Sequence, residues 1–245
     1  MTENKDAKRI ARQSAPDGIA VVSDLSYADD NNRSHLFDIY YPEHINDALP
    51  VIIDIHGGGW MYGYKEINKY YNMYLASRGF YVFSINYTLA PEADYKQQIS
   101  ECFEAFCEIE KGASHYPCDM KNVFLTGDSA GGHLAALCCE IFSNEKLQTA
   151  FNIKLPEFEI RAAGFTCGAF SMPTMLAGIK LPLAREYARY VLGDEIDDKQ
   201  KNRLCNATEL LSSCKMPPLY LSSSKQDFIG FETKKFCSTM LVKHG

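Results

Sequence analysis

The chain has 245 residues and a mass of 27.6 kDa, enough for one large α/β domain or two small ones, and 46% apolar residues are ample for a core. A net charge of −6 and a pI near 5.5 leave no basic stripe to neutralise phosphates, which argues against nucleic acid as a partner. No apolar run reads as a signal peptide or a membrane span, and nine scattered cysteines without C-x-x-C or Cys/His grouping read as free thiols in a reducing cytoplasm, with no metal site.

Residues 1–17 read as a mobile or helical arm and residues 18–245 as the folded unit. From Gly18 the pattern turns to β through Ile19, Val21, Val22, Leu25 and Tyr27. Residues 29–32 carry turn chemistry, and a second strand over 35–41 is stopped by Pro42. These two strands are expected as an antiparallel pair at a sheet edge. Residues 50–55 are almost wholly apolar, a strand of the buried, parallel kind. It delivers His56-Gly57-Gly58-Gly59-Trp60. Successive glycines cost backbone entropy, and close backbone approach to a ligand is the best reason for them. Their N–H groups, with no side chains in the way, can converge on a developing oxyanion.

A helix is expected over 66–78, with Ile67, Tyr70, Tyr71, Tyr74 and Leu75 on one face and Gly79 ending it. The tyrosines Tyr62, Tyr64, Tyr70, Tyr71 and Tyr74 read as core packing, with the lining of an acyl or aromatic pocket as the alternative. A strand over 80–85, a loop over 86–92 and a helix over 95–111 follow; the helix has Ile99, Cys102, Phe103 and Phe106 on one face and Gly112 as its stop.

The centre of the chain is VFLTGDSAGGH at 123–133, a G-x-S-x-G pattern between a strand and a helix extending to about Asn144. The turn is tight, so the positions flanking the serine must be small, and Gly127 and Gly131 meet that need. The geometry lifts the Ser129 hydroxyl over the end of the sheet and aims the free N–H groups of the new helix, Ala130 first, at whatever Ser129 attacks. Another strand is expected over 160–166. Strands alternating with helices imply a mostly parallel, doubly wound sheet with helices on both faces, whose ligands bind at the carboxyl ends of the strands.

Residues 167–212 break the rhythm. Met172, Met175, Leu176, Ile179 and Leu181 mix with Pro173, Pro182, Tyr187 and Tyr190, which reads as a small cap over the site or as an ordinary surface excursion. A strand over 216–221 ends near Asp227. By itself an aspartate there is a helix N-cap candidate; in the chain order Ser…Asp…His it is the candidate acid for Ser129.

HGGGW at 56–60, NYTLAPE at 86–92, GDSAGGH at 127–133 and PPLYLSSSKQDFI at 217–229 together resemble the hormone-sensitive-lipase-like α/β-hydrolase esterases, over about residues 18 to 245. LFDIYYP at 36–42 looks closest to the carboxylesterases and the carbohydrate acetyl or feruloyl esterases of that group. The resemblance implies an α/β-hydrolase fold, Ser129 as nucleophile, Asp227 as triad acid, and an oxyanion hole from Gly57, Gly58, Gly59 and Ala130. His56 and Asp128 are taken as supporting residues. Thr88 stands where the family segment has arginine, and Ser224 where a glycine precedes the acid by three; both are structural positions.

A serine hydroxyl needs an imidazole to become a nucleophile. Average element lengths place that histidine at about 250–259, whereas the sequence stops at Gly245. His244 sits at the far end of an expected helix, His133 inside the elbow helix reads as packing or a supporting hydrogen bond, and His35, His44 and His115 have no motif around them. The expected activity is hydrolysis of carboxylic esters of small or medium acyl groups through an acyl-enzyme on Ser129. Amide or formamide hydrolysis on the same machinery is one alternative, and a non-catalytic binding protein is the other. A small-molecule ester is the expected substrate, no metal or organic cofactor is needed, and a homodimer is one option for assembly.

Overall fold

The computed structural model of the protein describes residues 2–172, 184–193 and 203–244. The described strands are β1 (Ile19–Ser26), β2 (Leu36–Pro42), β3 (Leu49–Ile55), β4 (Tyr81–Ile85), β5 (Cys118–Asp128), β6 (Ile160–Thr166) and β7 (Leu219–Ser222). They form one sheet in the order β1-β2-β4-β3-β5-β6-β7. As expected, β1 and β2 are an antiparallel pair at one edge; β2 also runs antiparallel to β4, and β4 through β7 are mutually parallel.

The helices are α1 (Thr2–Ile10), α2 (Lys69–Ala76), α3 (Tyr95–Gly112), α4 (Ala130–Phe142), α5 (Glu145–Phe151), α6 (Ala184–Leu192), α7 (Ala207–Leu210) and α8 (Gly230–His244). Side chains of a strand alternate between faces, and the central strands are buried on both. Ile52 and Val82 pack with Ala76 of α2 on one face. Val51, Ile53, Ile55 and Ile85 pack with the residues of α3 and α4 on the other. Phe236 of α8 stacks on Phe170 with ring centroids 4.0 Å apart, which docks α8 beside the end of β6.

The region expected as one helix over 66–78 is a short 3-10 turn (Lys65–Asn68) running into α2. Its buried face is also different. Asn72 and Ala76 are fully buried, whereas Tyr71 and Tyr74 are 48% and 50% exposed. The core-packing reading of the tyrosines is therefore corrected for these two. With Tyr70 they line an open cavity of about 620 Å³ against Arg9, Arg12 and residues 13–16 of the arm. The physical reason lies under the helix, where Asn72 turns inward to a buried carboxylate on β3. An unpartnered buried acid costs more than two half-exposed tyrosines gain by burial. The helix α5 was not expected; Asn144 caps it through Oδ1, which accepts from the N–H groups of Lys146 and Leu147.

The strand ends are level. Ile85, Ile55, Gly127, Phe165 and Leu221 form one row across the sheet. Every loop that leaves a parallel strand therefore starts at the same height, and the candidate residues lie on those loops or on the element ends that border them.

Candidate active site

Ser129 lies between β5 and α4 with φ 52° and ψ −115°, a conformation that L side chains rarely adopt. The chain tolerates it because the elbow is held on both sides. Ser129 N–H donates to Thr166 O at 2.9 Å, and Ser129 O accepts from Ala169 N–H at 3.1 Å. Close approach sets the flanking glycines. A Cβ on Gly131 would run into Ile55 O and stand 2.5 Å from His56 O, and one on Gly127 would stand 2.5 Å from Gly131 O. Ala130 is the first residue of α4, so its N–H has no acceptor inside the helix.

The glycine loop turns back on itself, with φ 128° at Gly58, 62° at Gly59 and 63° at Trp60. Gly58 O accepts from Tyr62 N–H at 3.0 Å. The loop is buttressed from every side. His56 is fully buried, its ring stacked on Tyr87 with centroids 4.4 Å apart. Its Nδ1 lies 2.8 Å from Gly57 O; a carbonyl only accepts, so Nδ1 carries the proton. Burial lowers the His56 pKa, so the ring is held neutral. Tyr87 Oη donates to His56 O at 2.9 Å, Gln98 Nε2 to Trp60 O at 3.0 Å, and Ala90 N–H to the same carbonyl at 2.9 Å. The 86–92 segment thus serves as the support of the 56–60 segment. Tyr187 on α6 donates to Gly59 O, which places this part of the 167–212 region against the loop. Met175, Leu176, Ile179, Leu181, Pro173 and Pro182 of the expected cap lie outside the described residues.

Trp60 Nε1 donates to His133 Nδ1 at 3.2 Å, which leaves His133 Nε2 as the donor to Cys205 O at 2.8 Å. Burial pushes His133 down to about 4, against the bond to Cys205 O. At this site the unfolded chain takes up a proton below about 6.5 that the folded chain refuses down to about 4, so the contribution of His133 to stability falls as the pH drops through that window. Between pH 7 and 4 this contribution of His133 is expected to fall by about 3 kcal/mol, opposed over the same range by Asp54, whose carboxyl burial raises to about 7. Urea unfolding of the protein and of His133→Gln at both pH values checks this; the variant should lose correspondingly less.

One candidate donor is removed by the geometry. Gly57 N–H donates to Asp128 Oδ1 at 3.0 Å, so it is not free for an oxyanion. Gly58, Gly59 and Ala130 remain as candidates. Asp128 Oδ1 also accepts from Asn68 Nδ2 at 2.9 Å. The same amide reaches Asp54 Oδ2 at 3.3 Å, and Asn72 Nδ2 donates to that oxygen at 2.9 Å. Asp54 is fully buried on β3, and burial raises its carboxyl to about 7, opposed by the Asn72 amide and reinforced by the Asp128 charge. Asp54, Asn68 and Asn72 were missed by the sequence reading. The signal was present: a single acid in an otherwise apolar buried strand requires a partner, and Asn68 and Asn72 stand four apart, on one helical face.

Asp227 lies past β7 in a turn. Its Oδ1 accepts from Ile229 N–H at 3.1 Å, a cap-like bond, and its Oδ2 from Ser223 Oγ at 3.4 Å. Asp128, Thr166 and Ser222 are in register across β5, β6 and β7. Strands are about 4.8 Å apart, so the serine and the acid leave the sheet about 10 Å from each other. Cys167 occupies the intervening strand end, and its thiol is raised by burial and by its bond to Asp227.

His35 and His115 are engaged elsewhere. His35 pairs with Asp30 at 2.6 Å and with buried Glu101 at 3.3 Å, and Glu101 also accepts from Thr88 N–H. His115 contacts Gly112 O, and His44 is exposed on the loop after β2. His244 ends α8, about 21 Å along the helix from Gly230. No described hydrogen bond joins a histidine ring to Ser129 or Asp227.

The strand order, the strained elbow and the glycine loop bound to it define the class of protein, an α/β-hydrolase. A family model described as BD-FAE matches residues 37–233, and the chain belongs to that family. Esterase B from Lactobacillus rhamnosis superposes with a TM-score of 0.92 at 28% identity, over 99% of this chain and 77% of its own. Carboxylesterase NlhH of Mycobacterium tuberculosis is 24% identical over 77% of this chain and 60% of its own length. Hormone-sensitive lipase of Bos taurus is 30% identical over 47% of this chain and 15% of its own. The chain spans 40 to 60% of the length of the curated relatives that it matches over more than half of itself.

Proposed function

We propose that the protein is a serine hydrolase of carboxylic esters with small or medium acyl groups, working through an acyl-enzyme on Ser129. The observation that carries this reading is the elbow itself: a serine kept at φ 52°, with the glycine loop hydrogen-bonded to the residue before it. Ser129 attacks the ester carbonyl, and the N–H groups of Gly58, Gly59 and Ala130 receive the oxyanion, each donor contributing about 3–4 kcal/mol. An imidazole oriented by Asp227 takes the serine proton and returns it to the leaving alcohol; water then clears the acyl group. None of the described histidines is placed to fill that role. The region with α6 acts as a cap, supported by the Tyr187 bond to Gly59 O. A cytoplasmic setting fits nine cysteines of which none forms a disulfide. No helix among the described residues is long and apolar enough to cross a membrane.

The test is covalent labelling. A p-nitrophenyl alkylphosphonate should add one phosphonyl group to the intact mass, mapped to the Ser129 peptide, and free imidazole in the buffer should accelerate the reaction. Absence of an adduct on Ser129, with and without imidazole, overturns the reading in favour of a binding protein.

A further inference from the structure

The Asp128 carboxylate stands between the elbow and the glycine loop. Its Oδ1 accepts from Gly57 N–H at 3.0 Å, and a Cβ on Gly57 would lie 2.5 Å from its Oδ2, so the Gly57 peptide rests directly against it. A peptide unit is planar, so the direction of one N–H constrains the neighbouring units. Asp128 is in turn held from α2. The two N–H bonds of the Asn68 amide are shared between the carboxylates, one to Asp128 Oδ1 at 2.9 Å and one to Asp54 Oδ2 at 3.3 Å. Asn72, one turn along, fixes Asp54 with a second bond of 2.9 Å. Asp54 and Asn72 are both buried, so this end of the network has no water to substitute for a lost partner.

We propose that Asn68 is a positioning residue for the oxyanion loop: by holding the Asp128 carboxylate it sets the Gly57 peptide, and with it the aim of the Gly58 and Gly59 amides. The proposal rests on the serine-hydrolase reading for its catalytic meaning, though not for its geometry. Asn68 acts through Asp128, and Asn72 provides the internal comparison. Loss of the Asn72 amide removes a bond to Asp54 and leaves the Asn68–Asp128 bond in place.

The experiment uses Asn68→Ala, the milder Asn68→Ser, and Asn72→Ala in the whole chain, with two readouts. The first is saturation kinetics of phosphonate labelling at Ser129, which separates the maximal rate kinact from the binding constant KI. The second is hydrogen exchange at the Gly57 amide in protein labelled with 15N-glycine. Both Asn68 variants are expected to lower kinact by about 10- to 100-fold with KI nearly unchanged, because a misaimed donor costs rate rather than binding. They should also speed exchange at Gly57. Asn72→Ala should lower the melting temperature yet hold kinact within about 3-fold of the parent. Unchanged kinact and unchanged Gly57 exchange in the Asn68 variants overturn the proposal. So does a loss of kinact that follows melting temperature equally in the Asn68 and Asn72 variants. If the parent chain takes no label at Ser129, the serine-hydrolase reading fails, and Gly57 exchange alone then decides whether Asn68 holds the loop.

Discussion

Replacing Ser129 with alanine is expected to abolish phosphonate labelling and reduce hydrolysis of p-nitrophenyl acetate to background, a loss on the order of 10⁵-fold or more where an imidazole completes the site. The fold should survive unchanged. The described bonds at this position, to Thr166 O, from Ala169 N–H and from His133 N–H, are all made by backbone atoms, which alanine retains. Alanine also meets the same strain as serine at φ 52°, so stability should shift by less than about 1 kcal/mol. Ser129→Gly sharpens the result. Glycine adopts this conformation freely, so the variant should be equally inactive and more stable by about 1 kcal/mol. Turnover by Ser129→Ala comparable to the parent, with a matching circular dichroism spectrum, would remove the serine from the chemistry.

Gly131→Ala is expected to be severely damaging, costing at least about 4 kcal/mol. The added carbon runs into the Ile55 carbonyl oxygen and comes within 2.5 Å of the His56 carbonyl oxygen. Neither can yield. Ile55 pairs with Ile85 on one side and Gly127 on the other, at the end of the central strand, and His56 O is already held by Tyr87 Oη. Relief requires α4 to lift off β3, which moves Ser129 away from the glycine loop. At about 2–4 °C per kcal/mol for a chain of this size, the melting temperature should fall by roughly 10 °C or more. Gly112→Ala is the matched control: a Cβ there meets nothing within 4 Å, at the end of α3, and should be neutral or slightly stabilising. A Gly131→Ala protein that melts with the parent would show that the helix can shift cheaply and that glycine is not required for the approach.

The difference between these positions and the ones missed by the sequence reading is physical. G-x-S-x-G and the glycine run were legible because their requirement is local: a tight turn accepts few residue types whatever packs around it. The facing of α2 was not legible in that way. Its tyrosines repeat at helical spacing, yet the helix turns Asn72 inward because Asp54 is buried beneath it. Gly57 was grouped with its neighbours as a donor, since nothing in a run of glycines distinguishes one N–H from the next. Only the carboxylate of Asp128, 71 residues away in the chain, takes it out of the set.

By itself the sequence determined the described strands and the helices α3 and α4 in chain order, the edge pair β1–β2, the elbow at Ser129, the loop at 56–60 and an acid after the last described strand. Each follows from hydrophobic period, turn chemistry or chain order, which act within a few residues. The tertiary structure decided which helix face is buried, which amides of the glycine loop stay free, that His133 joins Trp60 to the Cys205 carbonyl, and that Asn68 links two carboxylates. Those contacts connect residues 14 to 73 positions apart, and their partners are chosen by burial, where a polar group without a hydrogen bond is costly, rather than by any local pattern.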